Sequence, residues 1–232
     1  MLLQFDFSKN AEITEQDEVQ TAHWWHLQVT LFTAVAWVAG EKNCFAIISD
    51  YSDHDKNATV TFLLIILRKI LYKYPDVNHL DLFSDGASQH FKQCYTLNAV
   101  TMLNSLLEMQ RNKLSINYGF SATSHGKGPC NGTGGTVKRQ TRTAILTRQK
   151  LIPTAEVYAK VANESCPNIL VVYSSKDEVK NMKEKLSKDI FKDCLTLPRT
   201  RKSHWFEVTG DNQVRYYDFR ASANSRIHHF KK

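Results

Sequence analysis

Residues 2–7, LLQFDF, alternate apolar and polar side chains almost from the first position, the two-residue period of a strand with one buried face. A polar loop is expected over 8–22. LQVTLFTAVAWVAG (27–40) is then a long β-branched and aromatic run closed by Gly40, and NCFAIISD (43–50) follows a short polar turn. The pair predicts a hairpin. Asp53, Asp55 and Asn57 are good helix-capping types ahead of TVTFLLIILRKILYKYP, whose length predicts a helix that Pro75 closes.

HLDLFSDG (79–86) reads as a strand ending in a turn. Val100, Leu103 and Leu107 fall at helical spacing and predict an amphipathic helix within 88–110. INYGFSAT (116–123) is a strand, and a basic helix is expected over 137–150. Beyond Pro153 the pattern predicts a helix over 154–165, a strand at NILVVYSS and a charged helix at KDEVKNMKEKLSKDIF. HWFEVTGDNQVRYYDF then reads as a hairpin about Gly210, Asp211 and Asn212. The order β-β-β-α-β-α-β-α to residue 140 predicts an α/β fold. Its mixed sheet is antiparallel first and parallel later, flanked by helices. Residues 1–150 are expected as the core domain and 151–232 as a small α+β extension.

Composition permits a real core, with 42% apolar residues in 232. The net charge of +7 favours an anionic partner. The longest apolar run, FLLIIL at 62–67, is far shorter than the ~20 residues of a membrane span, so no membrane partner is expected. With no charged-then-apolar leader, an intracellular protein is expected. Five cysteines with no C-x-x-C spacing argue against structural zinc and a disulfide framework.

Two aspartates change the picture. Asp6 lies inside the first strand and Asp85 just past the fourth. If those strands are neighbours, the carboxylates meet and repel unless a cation lies between them. A divalent ion held by oxygen ligands is the natural one. The competing reading makes Asp85-Gly86 an ordinary turn and pairs Asp6 with a lysine. Asp50, Asp53 and Asp55 read as loop and cap residues.

SATSHGKGPCNGTGGTVKRQTR (121–142) holds five of the nine glycines. It is not a nucleotide P-loop, because Gly128 rather than Ser or Thr follows Lys127, and it misses the dinucleotide spacing. It is expected as a flexible backbone whose N–H groups approach phosphate. From Arg111 to Ala155 there is no Asp or Glu but eight Lys or Arg. That is the charge footprint of a polyphosphate partner.

DFSKN (6–10), EVQTAHWWHLQVTLFTAVAW (18–37), SDGASQHFKQ (84–93) and SATSHGKGPCNGTGGTVKR (121–139) resemble transposase-derived proteins of animal genomes with an RNase H-like, integrase-type core. The resemblance implies a five-stranded sheet of order 3-2-1-4-5 and two-metal phosphoryl transfer with Mg²⁺ or Mn²⁺. It implies three acids. Asp6 and Asp85 match two of them, and the third position carries Asn131. Lys9 is a second departure, expected to place a cation near Asp6. Nucleic-acid contacts are expected at His125, Lys127, Lys138, Arg139 and Arg142. Trp24, Trp25 and Trp37 read as core or interface.

The expected function is a degenerate transposase-like DNA-binding protein acting in the nucleus. The alternatives are a non-enzymatic DNA-binding module co-opted from one, or an RNA-binding α/β protein. Self-association is left open.

Overall fold

A computed structural model describes residues 1–13, 27–109, 113–121, 128–148 and 153–231. Its organising element is β1, Leu2–Ile13. Leu3 and Phe5 are buried in the larger of two apolar clusters, while Gln4 and Ser8 approach a helix on the opposite face. The strand thus separates two packed layers.

β2 (Leu27–Val38) pairs antiparallel with β1, and β3 (Glu41–Ser49) antiparallel with β2. Ala39 and Gly40 turn the hairpin with φ of 51° and 79°, where glycine is the residue without steric cost. Asp55 caps α1 (Lys56–Lys73), its carboxylate accepting from the Asn57 and Ala58 N–H groups at 2.9 Å each. β4 (His79–Ser84) returns parallel to β1. The expected helix over 88–110 is broken at Met102 into α2 (Cys94–Thr101) and α3 (Leu103–Leu106). β5 (Ser115–Phe120) lies parallel to β4, and α4 (Pro129–Arg148) follows.

The remaining elements are α5 (Ala155–Ser165), β6 (Ile169–Ser174), α6 (Lys176–Leu186), a π-helical turn (Ser187–Phe191), β7 (Trp205–Gly210), β8 (Gln213–Tyr217) and β9 (Ser225–His229). All strands form one mixed sheet of order β6-β3-β2-β1-β4-β5-β7-β8-β9. The expected five-stranded sheet is therefore corrected to nine. The run β3-β2-β1-β4-β5 is its centre, β6 extends one side parallel to β3, and an antiparallel β7-β8-β9 meander extends the other. The segment 151–232 supplies both additions, so each outer strand is fixed by contacts remote in sequence. Among the described residues, no helix is long and apolar enough to cross a membrane.

Two further expectations are corrected. The loop expected from residue 8 is strand as far as Ile13, with a register shift between Ser8 and Ala11. The glycine-rich segment from Pro129 is not a flexible loop but the first turns of α4. Local glycine propensity disfavours helix there, and tertiary contact overrides it. A methyl at Gly134 would come within 2.6 Å of Ser8 Oγ and 3.0 Å of Ser8 Cβ. The bare backbone is what lets α4 lie against β1.

Gly132 and Gly135 face open space, with nothing within 4 Å of an added methyl. Gly134→Ala should destabilise the protein by about 1–3 kcal/mol through forced separation of helix and sheet. Gly135→Ala should instead stabilise it by about 0.5–1 kcal/mol through reduced chain entropy. Urea unfolding of the two variants measures the contrast, and equal effects would remove the close-packing explanation.

Candidate nucleic-acid and metal site

Parallel pairing puts Leu3 opposite Leu82 and Gln4 opposite Phe83. Asp85 follows directly on β4, which ends at Ser84, and its charge reaches Asp6. The two carboxylates feel each other: Asp6 is pushed up to about 6, first by burial and then by the Asp85 charge, with the Phe7 N–H opposing. Asp85 is fixed by its surroundings. Its Oδ1 accepts from the Ala87 N–H at 3.1 Å. The buried Ser84 hydroxyl donates to the Asp85 carbonyl at 2.9 Å and meets the Tyr118 hydroxyl at 2.8 Å.

Helix α4, which carries Asn131, packs along β1. Cys130 Sγ donates to the Gln4 carbonyl at 3.3 Å. Gly134 lies against Ser8. Lys138 Nζ donates to Ser8 Oγ and to the Lys9 carbonyl, both at 3.1 Å. The helix therefore runs in the direction of β1, and Asn131 follows the Cys130 contact with Gln4 by one residue. Its side chain is exposed in the first helical turn, which carries no acid.

Lys138 and Arg142 line a groove of about 410 Å³ with Lys9, Asn10 and Glu12. Burial, and then Lys9, lower the Lys138 ammonium from its ordinary value. Arg139 is exposed and does not line this groove. Lys9 belongs to the groove rather than to the carboxylates, because the groups acting on Asp6 are burial, Asp85 and the Phe7 N–H. The expectation of a cation beside Asp6 is corrected accordingly: past Ser8 the strand's register shifts and Lys9 is exposed. His125 and Lys127 lie outside the described residues, as do Trp24 and Trp25.

On the other face of β1, Phe7 stacks on His54, ring centroids 4.3 Å apart, and meets His90 edge-on at 5.3 Å. His54 Nε2 lies 2.8 Å from Asn10 Oδ1. Burial lowers both imidazoles, and Asp85 draws His90 partly back. Sequence reasoning missed this cluster and missed Ser8. The parity of β1 was the available signal for Ser8, which shares the Asp6 face two residues on. Nothing local marks His54, which reaches Phe7 from beyond β3.

The donor set can be tested against a divalent ion. Two half-buried carboxylates repel, and among the described residues neither has a cationic partner. All their donor atoms are oxygen. That fits one hard cation, Mg²⁺ or Mn²⁺, with Asp6 and Asp85 as its charged ligands. Asn131 adds only a neutral amide oxygen, and among the described residues no group of three or more His, Cys, Asp or Glu could hold a metal ion.

Over residues 1–220 the chain matches the family described as a domain of unknown function (DUF8701). No curated protein and no solved structure matches it.

The raised Asp6 carboxyl has a stability consequence. Between its unfolded value of ~3.9 and about 6, the folded carboxyl keeps a proton that the unfolded one has released. Its contribution to stability is therefore present at low pH and lost as pH rises through about 6. In chelator, Asp6→Asn should melt higher than the parent by a margin that grows from pH 4 to 6 and is constant above. A margin independent of pH would remove the burial and repulsion argument.

Proposed function

The chain belongs to that family, and we propose that it is a DNA-binding protein on an RNase H-like, transposase-derived core whose strand-cleavage centre is impaired at Asn131. The observation that carries the reading is the repulsion between Asp6 on β1 and Asp85 just past its parallel neighbour β4, with α4 packed along β1 from Gln4 to Ser8. The central order β3-β2-β1-β4-β5, antiparallel among the first three and parallel among the last, supports the same core. The outer strands are additions to it.

A divalent cation at the aspartate pair would supply Lewis-acid activation of a phosphoryl oxygen. The chain's own residues divide the rest. Asp6 and Asp85 bring two negative charges. Asn131, where the resemblance implies a third acid, brings none, so a second ion is held weakly and cleavage is absent or slow. Lys138 and Arg142 present cations along the groove that continues past β1, where a nucleic-acid backbone can lie. His125 and Lys127 are proposed as further contacts from the preceding segment. Asn131 also favours one second reading, a DNA-binding module retained without catalysis. A protein of either kind would act in the nucleus.

Two measurements test this reading. Each phosphate neutralised contributes ~0.9 to the slope of log affinity against log salt. Lys138→Ala and Arg142→Ala should each lower that slope for a DNA duplex by about one unit, and Arg139→Ala by less. Unchanged slopes, or a marked preference for RNA, would overturn the DNA path.

Calorimetric Mn²⁺ titration should show weak binding that Asp85→Ala abolishes and Asn131→Asp tightens by about tenfold or more. Robust Mg²⁺-dependent cleavage by the unaltered chain that survives Asp85→Ala would place the chemistry elsewhere.

A further inference from the structure

A second cleft, of about 670 Å³, opens at the carboxyl ends of β4 and β5 and begins at Gly86, the residue after Asp85. Ser88, Lys92, Ser121, Thr200, Arg201 and His204 line it. Lys92 is the exceptional member. It is only 7% exposed, and among the described residues no carboxylate pairs with it. Its ammonium donates to the Arg201 carbonyl at 3.1 Å and lies 5.4 Å from the Phe120 ring centroid. An ammonium has three N–H donors, and among the described residues the Arg201 carbonyl is the one acceptor bonded to this buried cation, which opens onto a cavity.

The surroundings do not neutralise this charge. The Arg201 side chain is exposed and adds a second cation. Burial and then the Lys92 charge lower His204, with the Phe120 main chain and Asp218 drawing it partly back, and burial lowers Lys92. The Ser88 hydroxyl lies on the same wall, whereas those of Ser121 and Thr200 already donate to the Ser84 carbonyl at 3.3 Å and the Leu197 carbonyl at 2.6 Å. A buried cation without a counter-ion is costly unless something compensates it. A buried ammonium with Arg201 on the same cleft suits an oxyanion, and charge-assisted bonds to its oxygens are the strong kind.

We propose that the Lys92 cleft binds a phosphoryl group, supplied by the nucleic-acid strand as it passes the aspartate pair. The source of the phosphate rests on the DNA-binding reading above; the phosphoryl chemistry of the cleft does not. Adjacency supports the source. Asp85 and Gly86 are consecutive, and the Ser121 N–H donates to the Ser84 carbonyl at 3.0 Å, which ties the cleft wall to the strand end that carries Asp85. Lys92 would hold one backbone phosphate while the groove along α4 holds others on the far side of Asp6.

The test uses inorganic phosphate and a labelled DNA duplex in parallel on the full chain. Variants are Lys92→Met, which keeps the buried stem, and Arg201→Ala, which removes an exposed side chain and leaves its carbonyl. Phosphate should raise the melting temperature of the parent beyond a chloride control of equal ionic strength. Both variants should weaken phosphate binding by about tenfold or more. Lys92→Met should lower the duplex salt slope by about one unit. Phosphate binding unchanged in both variants overturns the site. Loss of phosphate binding with an unchanged slope, for a duplex that the parent does bind, overturns the strand as the source and assigns the cleft to free phosphate or a phosphomonoester. A parent that binds phosphate through Lys92 but no duplex overturns the DNA reading and leaves the phosphoryl site standing.

Discussion

A strand packed on both faces admits one register, because a slip of one residue exchanges every side chain between layers. β1 is under that constraint, and the rest of the molecule is arranged around it. Phe5 meets Phe32, Phe91 and Tyr118 with ring centroids 5.8, 5.5 and 5.9 Å away. The next residue, Asp6, faces the opposite layer. A one-residue shift would drive the carboxylate into that aromatic cluster and push Phe5 under α4, so the position of the acid and the integrity of the core are one requirement. Partial burial of Asp6 is the cost of placing a carboxylate on such a strand, and its raised titration records that cost.

Beyond the β5–β7 ladder, side chains on one stretch also tie the C-terminal segment to this centre. Asn98 Nδ2 donates to the Ile190 carbonyl at 3.0 Å, Thr101 Oγ accepts from the Asn212 N–H at 3.1 Å, and Lys92 donates to the Arg201 carbonyl. Each satisfies a main-chain group of the C-terminal segment that the ladders leave free. Phe230, fully buried, sits in the same apolar cluster as Leu3. Core and meander therefore share one interior.

Much of this was legible in the sequence where the signal was local. β1 to β5, α1 and the hairpin at Gly210 followed from periodicity and turn residues, and the Asp6–Asp85 pair followed from strand adjacency. Three things were not. The order of the outer strands depends on pairings between residues far apart, such as Cys44 with Ile169, and no local pattern encodes them. The glycine-rich start of α4 read as a loop because the contact that requires a glycine, Gly134 against Ser8, is invisible until the helix is laid on β1. Lys92 lies among polar residues in SDGASQHFKQ and reads as surface, since burial of a lysine is decided by the loops packed over it.

The way β6 and β7 flank the centre sets the order in which the molecule can be completed. Until residues 169–174 and 205–210 are present, β3 and β5 each show a row of unpaired main-chain donors and acceptors. β3 carries CFAII, a flat apolar run of the kind that templates intermolecular strand pairing. A ribosome-bound chain that had emerged only through α4 would hold its aspartates in place between two adhesive margins. The last third of the chain thus covers both margins with β6 and β7.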